Sequence, residues 1–201
     1  VGNWFTSKAT VETQYGPIGN WCFGAGVTSM NELFKDRTTF NENIGNWDVS
    51  TVTNMYGMFR AASSFNQDLS TWDVSSVTDM MLMFQLASSF NGDISPWDTS
   101  SLITMRAMFQ HATAFNQDLS SWDVSSVRNM QNTFDNASSF NQDLSSWDVA
   151  AVTIMWSMFR YGSSFNQDLS SWDMSSVLDI RTMFDDATVF NQDLCAWGSR
   201  L

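Results

Sequence analysis

The sequence predicts an α/β repeat protein, a solenoid with one short parallel strand and one helix in each 25-residue coil. Phe-Asn recurs every 25 residues from Phe40 to Phe190, and Trp recurs with the same step from Trp47 to Trp197. Within each unit the apolar period changes from about two to about 3.6 residues, as where a helix follows a strand. Because such a coil cannot bury its apolar face alone, we expect the coils to stack around one continuous core.

The strand is predicted from the segment that ends at Val74. Trp72 and Val74 alternate about Asp73, which places the apolar pair on one face and the aspartate on the other. Equivalent segments of successive coils are expected to pair in parallel, about 4.8 Å apart. Identical side chains would then form columns along the stack.

The helix is predicted to begin after Ser75 and Ser76 and to end at Ser88, about three turns later. Serine is a favoured N-cap residue, and Asp79 completes a pattern similar to a capping box. The apolar positions that follow have helical spacing: Val77, Met80, Met83, Phe84 and Ala87. We therefore expect this face to point into the core.

The repeat divides the chain into two predicted regions. Residues 1–39 form an N-terminal cap with an imperfect first coil, and residues 40–201 form the regular repeats with a short C-terminal end. The chain begins at Val1 without a start Met or an apolar leader segment, so a processed or truncated product is expected.

The spacing L-x-x-W-x-V-x-x-V resembles that of leucine-rich repeats, with Trp72 at the place of the second leucine. The fuller motif, FNQDLSSWDVSSVTxMxxMF, more closely resembles the 26-residue repeats of bacterial surface proteins, the BspA-like or mycoplasma-lipoprotein-type repeats. The resemblance covers about 160 of the 201 residues. It implies a leucine-rich-repeat-like solenoid, an extracytoplasmic location and a role in adhesion or protein binding.

Composition excludes several classes of partner. The formal net charge is −12 and the pI is about 4.1, which argues against nucleic acid or an anionic membrane surface as a partner. No apolar run approaches the roughly 20 residues of a membrane-spanning helix. The single histidine, His111, is expected on the solvent face of a helix, with no second histidine or cysteine in its coil for catalysis or zinc binding. An enzyme is therefore not predicted.

The positions that vary between coils are the predicted partner-binding surface. Two helix columns vary most, and both should face solvent although several members are large and apolar. Aromatic, Met and Arg residues together are typical of interface hot spots. The alternative is that these side chains only cover the helix and pack on neighbouring coils. The candidate residues are Tyr56, Met81, Leu82, Leu86, Arg106, Ile154, Trp156, Tyr161 and Arg181.

Two aspartate columns offer a second candidate site. The favoured interpretation is that each carboxylate accepts hydrogen bonds from backbone N–H groups of the following turn. The alternative is a row of Ca²⁺ sites, because hard oxygen ligands repeat along the stack. The first column, the candidate calcium ligands, is Asp48, Asp73, Asp98, Asp123, Asp148 and Asp173; the second is Asp68, Asp93, Asp118, Asp143, Asp168 and Asp193.

The sequence thus predicts a non-enzymatic interaction or structural module without a cofactor. It would be an accessory subunit of a larger assembly or a fragment of a surface adhesin, binding other proteins through its helical side or an end of the solenoid. The alternative is a calcium-stabilised extracellular module. Cys22 and Cys195 lie about seven coils apart, so we expect no disulfide between them within one rod.

Overall fold

The backbone of this chain repeats every 25 residues, as a computed structural model that describes residues 5–24 and 26–200 shows. Isolated parallel bridges join one position of each coil to the equivalent residue of the next coil. The bridged residues are Ser29, Asn54, Asp79, Thr104, Asn129, Ile154 and Asp179. The predicted stack of 25-residue coils is therefore present.

Regular secondary structure is confined to the two ends of the described chain. Helix α1 spans Lys8–Tyr15, and short 3-10 helices span Ile18–Asn20 and Cys195–Arg200. Residues 26–194 contain no helix and no extended strand, only the isolated bridges. The predicted leucine-rich-repeat-like β/α solenoid, with a strand and a helix in each coil, is therefore wrong.

Overlapping β-turns occupy the segment that was predicted to be helical. Met83 N–H donates to the Met80 carbonyl at 3.1 Å, three residues back, where an α-helix would bond four residues back. Leu82 and Leu86 have φ angles of 61°, in the left-handed region that an α-helix does not use. The N–H of Leu82 instead donates to Arg106 of the next coil at 3.0 Å. Bonding between coils thus replaces bonding along a helix.

The predicted strand is also misplaced. Trp72 and Val74 are buried and Asp73 is exposed, as their alternation predicts, but none of these residues forms a bridge. The parallel bridge lies at Asp79, inside the predicted helix. Alternation therefore identified the inward side chains correctly and the pairing segment incorrectly.

The core is one column of apolar side chains along the stack. The predicted inward positions of one coil, Val77, Met80, Met83, Phe84 and Ala87, are all at most 1% exposed. Equivalent rings of successive coils stack with centroids 5.4–5.8 Å apart along the ladder that runs from Phe34 to Phe184. We call the repeated buried positions the framework. In one coil they are Leu69, Trp72, Val74, Val77, Met80, Met83, Phe84, Ala87 and Phe90.

The N-terminal end of the column is covered by residues outside the regular repeat. The ring of Phe5 packs edge-on against Phe34 and Phe40, with centroids 5.9 and 6.1 Å away. The guanidinium of Arg37 lies 4.0 Å from the centre of the same ring. The division between residues 39 and 40 stays a prediction, and residues 1–4, 25 and 201 of the two predicted regions lie outside the described residues.

Candidate protein-binding surface

The variable residues lie on a ridge of turns. Two left-handed positions recur four residues apart in each coil, with φ between 51° and 61°. The only glycine among them is Gly57, so side chains project from almost every turn. We define the turn ridge as the columns that contain Tyr56 and Ala61. Its members are Tyr56, Met81, Arg106, Gln131, Trp156 and Arg181, and Ala61, Leu86, His111, Asn136, Tyr161 and Asp186.

Exposure along the turn ridge is uneven. Trp156 is 37% exposed, and Leu86 and Tyr161 are each 43% exposed. Arg181 is also exposed, whereas Tyr56, Met81 and Arg106 are partly buried. Leu82 and Ile154, two further candidate residues, are partly buried beside the ridge. The large and exposed side chains of the predicted site therefore lie mostly in the C-terminal half.

Each exposed aromatic side chain of that half is paired with an arginine. The guanidinium carbon of Arg181 lies 5.6 Å from the centre of the Trp156 ring, and that of Arg160 lies 5.1 Å from the centre of Tyr161. Cation–π contacts of this kind hold an aromatic ring at the surface without burying it. The bidentate ion pair of Arg181 with Asp179, at 3.0 and 2.8 Å, orients the guanidinium and raises its pKa.

The guanidinium of Arg160 binds a buried carboxylate. Asp135 is fully buried and accepts hydrogen bonds from Arg160 Nε at 3.1 Å and from a terminal guanidinium nitrogen at 2.9 Å. Gln110 Nε2 donates to the same carboxylate at 2.8 Å. The hydrogen bonds from Arg160 to Asp135 are the largest cause of the raised pKa of Arg160. This network was not predicted, although the column from Gln85 to Arg160 is polar in every coil.

The aspartate columns are satisfied by their own turns. Asp98 Oδ1 accepts the Ser100 N–H at 3.0 Å and the Ser100 hydroxyl at 2.6 Å, and Asp118 Oδ1 accepts the Ser120 N–H at 2.9 Å. These hydrogen bonds lower the pKa of both carboxyl groups. The predicted hydrogen-bonded role is confirmed. Residues 5–24 and 26–200 contain no group of three acidic, histidine or cysteine side chains arranged to hold a metal ion, so nothing here favours the calcium alternative.

The remaining reactive side chains are dispersed. His111 is partly buried, and its Nδ1 lies 2.8 Å from Asn136 Nδ2 of the next coil, which differs from the solvent-facing position predicted for it. Cys22 and Cys195 are exposed free thiols. They lie at opposite ends of the stack, as the repeat predicts.

Comparison with known proteins places the chain in a repeat family. No curated protein and no solved structure matches significantly. Within the described residues, no helix is long and apolar enough to cross a membrane. The family described as "Mycoplasma protein of unknown function, DUF285" matches twice in tandem, over residues 2–122 and 104–200. These overlapping matches span nearly the whole sequence, and the chain therefore belongs to this family.

Proposed function

We propose that this protein is a non-enzymatic binding module that recognises another protein through the C-terminal half of its turn ridge. The observation that carries the proposal is the exposure of Trp156 and Tyr161 beside two arginines, on a backbone whose other positions repeat almost unchanged. Tryptophan, tyrosine and arginine are the residues most enriched at the energetic centres of protein interfaces.

Rigidity supports this role. The carbonyl groups of Trp156 and Arg160 accept N–H groups of the preceding coil at 2.9 and 2.7 Å, and Tyr161 N–H donates to the next coil at 2.8 Å. The backbone beneath the exposed rings is therefore held before a partner arrives. A preorganised surface loses less conformational entropy on binding than a flexible loop does.

The resemblance to BspA-like surface repeats supports the same class of function, since it implies adhesion or protein binding. On this basis the chain is an adhesin fragment or an accessory subunit of a larger assembly. Repetition itself supports a role without catalysis, because aspartates at the Asp98 position of successive coils accept the same local backbone hydrogen bond.

The test is affinity capture from a native extract under cross-linking, with the double variant Trp156→Asp and Tyr161→Asp. We expect the captured partner to be lost while the near-ultraviolet circular dichroism spectrum keeps its framework signal. The matched control is Ile103→Asp with Val189→Asp, which changes two residues that are 51% and 44% exposed away from the ridge. The control variant should still capture the partner, and the unmodified chain should still capture it in EDTA. Equal loss in both double variants would contradict the proposal.

A further inference from the structure

The side chains at the bridged positions hold the start of each turn on the ridge. Each accepts the backbone N–H of the residue two positions later, at 2.9–3.4 Å. This is the hydrogen bond of an Asx turn or its serine and threonine equivalent. The accepting residues are Ser29, Asn54, Asp79, Thr104, Asn129 and Asp179.

Ile154 interrupts this column, because its side chain has no acceptor atom. The N–H that would be bound belongs to Trp156, and it has no acceptor within residues 5–24 and 26–200. The carbonyl group of Trp156, by contrast, accepts the Asn132 N–H at 2.9 Å. The open donor therefore belongs to one of the two exposed aromatic residues of the turn ridge.

This open N–H restricts which partner can cover Trp156. In the free protein water can hydrate the group, but a purely apolar partner would bury it without an acceptor. A buried and unpaired N–H costs free energy comparable to a lost hydrogen bond. The partner must therefore place an acceptor oxygen at this point.

The charges beside Trp156 favour a carboxylate as that acceptor. The guanidinium of Arg181 uses its Nε and one terminal nitrogen for Asp179, which leaves further N–H groups available. Arg128 is exposed and forms no ion pair in the described part of the chain. Its carbonyl accepts the Thr153 N–H at 3.0 Å, so it lies in the adjacent coil. Because Arg181 and Asp179 neutralise each other, Arg128 leaves this side of the ridge positive.

We propose that the partner of the turn ridge places an aspartate or glutamate carboxylate on the Trp156 N–H, with a neighbouring apolar residue against Ile154 and the Trp156 ring. This inference rests on the proposed binding function of the ridge and names the chemistry of its partner. Hydrogen bonds to a charged acceptor are stronger than those to a neutral one. Ile154 determines specificity because it leaves the N–H open.

Amide hydrogen exchange of the full chain, measured by NMR, tests the open donor. The Trp156 N–H should exchange at least about tenfold faster than the Gln131 N–H, which donates to Asn129 at 2.9 Å. The variant Ile154→Asn should slow exchange at Trp156, because the new side chain supplies the acceptor. Equal exchange at Trp156 and Gln131 in the unmodified chain would overturn the proposal.

The chemistry of the partner is tested with a library of short random peptides displayed on phage and selected on the full chain. We expect aspartate or glutamate next to Leu, Ile, Val or Phe to be enriched at least about threefold over the starting library. Selection on the Ile154→Asn variant should give no such enrichment. Enrichment of basic peptides, of apolar peptides without an acid, or of none would overturn the proposal.

A matched pair of variants measures the contribution of the N–H to affinity. For a selected acidic peptide, Ile154→Asn should weaken binding at least about tenfold, because the local acceptor occupies the N–H. Asparagine suits this position, since Asn54 and Asn129 occupy it in other coils. Ile154→Val is the control, which keeps the N–H open and should change the affinity less than about threefold. Isothermal titration calorimetry gives the affinities.

The peptide offers the reciprocal change. Replacing its carboxylate by the corresponding amide should weaken binding to the unmodified chain at least about tenfold and binding to Ile154→Asn much less. Equal losses on both chains would overturn the proposal, because the carboxylate would then act elsewhere.

The double variant Trp156→Asp with Tyr161→Asp separates this proposal from the proposed function. If it abolishes peptide binding while Ile154→Asn has no effect, the ridge binds proteins but the N–H does not select them, and only the inference fails. If the double variant binds the peptide normally, the ridge is not the site and both proposals fail.

Discussion

The framework and the turn ridge belong to the same repeating backbone, but they differ in how much their side chains vary and in how exposed these are. Framework side chains such as Trp122 and Phe134 repeat from coil to coil and are at most 3% exposed. At the Tyr161 position of the ridge, the side chain changes from alanine to leucine, histidine, asparagine and aspartate along the stack. Position relative to the core therefore decides which residues the repeat can exchange.

The difference shows how this fold separates stability from recognition. Along the turn ridge, backbone N–H and carbonyl groups join each coil to the next, so the ridge backbone keeps its shape whatever side chain stands there. Framework positions have no such freedom, because each ring contacts its equivalents above and below. Substitutions in the two regions should differ in size accordingly.

The largest effect is expected from Trp122→Ala in the framework. Trp122 is 3% exposed, and its indole N–H donates to the Ile94 carbonyl at 3.1 Å. Truncation leaves a cavity and removes one of the two hydrogen bonds to this carbonyl, which also accepts the Trp97 N–H at 3.3 Å. The free energy of unfolding should fall by about 3–5 kcal/mol. Urea titration followed by near-ultraviolet circular dichroism measures the loss. Trp156→Ala on the ridge is the control and should cost less than about 1 kcal/mol. Similar losses would remove the distinction between the two regions.

Arg160→Met is expected to cost slightly less. The substitution leaves the buried carboxylate of Asp135 without its cation, so the free energy of unfolding should fall by about 3 kcal/mol. Arg106→Met is the matched control, because the Arg106 guanidinium contacts the sulfur of Met81 and no carboxylate. Its effect should stay within about 0.5 kcal/mol. Thermal unfolding of both variants measures the two losses in stability. Similar losses would show that the ion pair with Asp135 contributes nothing specific.

Backbone conformation at the left-handed turns should have a smaller effect. Gly57 has a φ of 54°, where a side chain adds strain, so Gly57→Ala should destabilise the fold by about 1 kcal/mol. Ala61, with a φ of 56°, offers the reverse substitution, and Ala61→Gly should stabilise the fold by up to about 1 kcal/mol. Differential scanning calorimetry of the two variants should show midpoint shifts of opposite sign. Shifts of the same sign would mean that packing, and not φ, controls these positions.

The smallest effect concerns the aspartate columns and pH. The Ser100 hydroxyl and N–H lower the pKa of Asp98 below its ordinary value. The resulting stability is complete above the ordinary pKa of about 3.9 and is lost as the pH falls through the lowered value. Ser100→Ala should raise the pKa of Asp98 and reduce the loss of stability on acidification. NMR titration of the carboxyl carbon checks this result, with Ser101→Ala as the control. An unchanged pKa in Ser100→Ala would exclude the hydroxyl as the main cause.

The buried side chains of each coil could be predicted from the sequence, but the conformation of the backbone that carries them could not. The spacing of Val77, Met80, Phe84 and Ala87 suits a helical face, yet successive β-turns place the same side chains inward. A signal against the helix was present in the two left-handed columns, which contain Gly57, Asn132, His111, Asn136 and Asp186. Glycine, asparagine, aspartate and histidine are the residues that tolerate left-handed backbone best. The Asp135–Arg160 pair lacked any local signal, because its partners are 25 residues apart.

The sequence by itself determined the 25-residue repeat, the columns of the core, the hydrogen-bonded role of the aspartates and the residues free to vary. These features depend on periodicity and on local side-chain chemistry, which neighbouring residues carry. Only the tertiary structure decided that the coils are built from turns. Turns form because backbone N–H groups bond to the next coil, and the choice between a helical partner four residues back and one 24 residues ahead exists only once the coils have stacked.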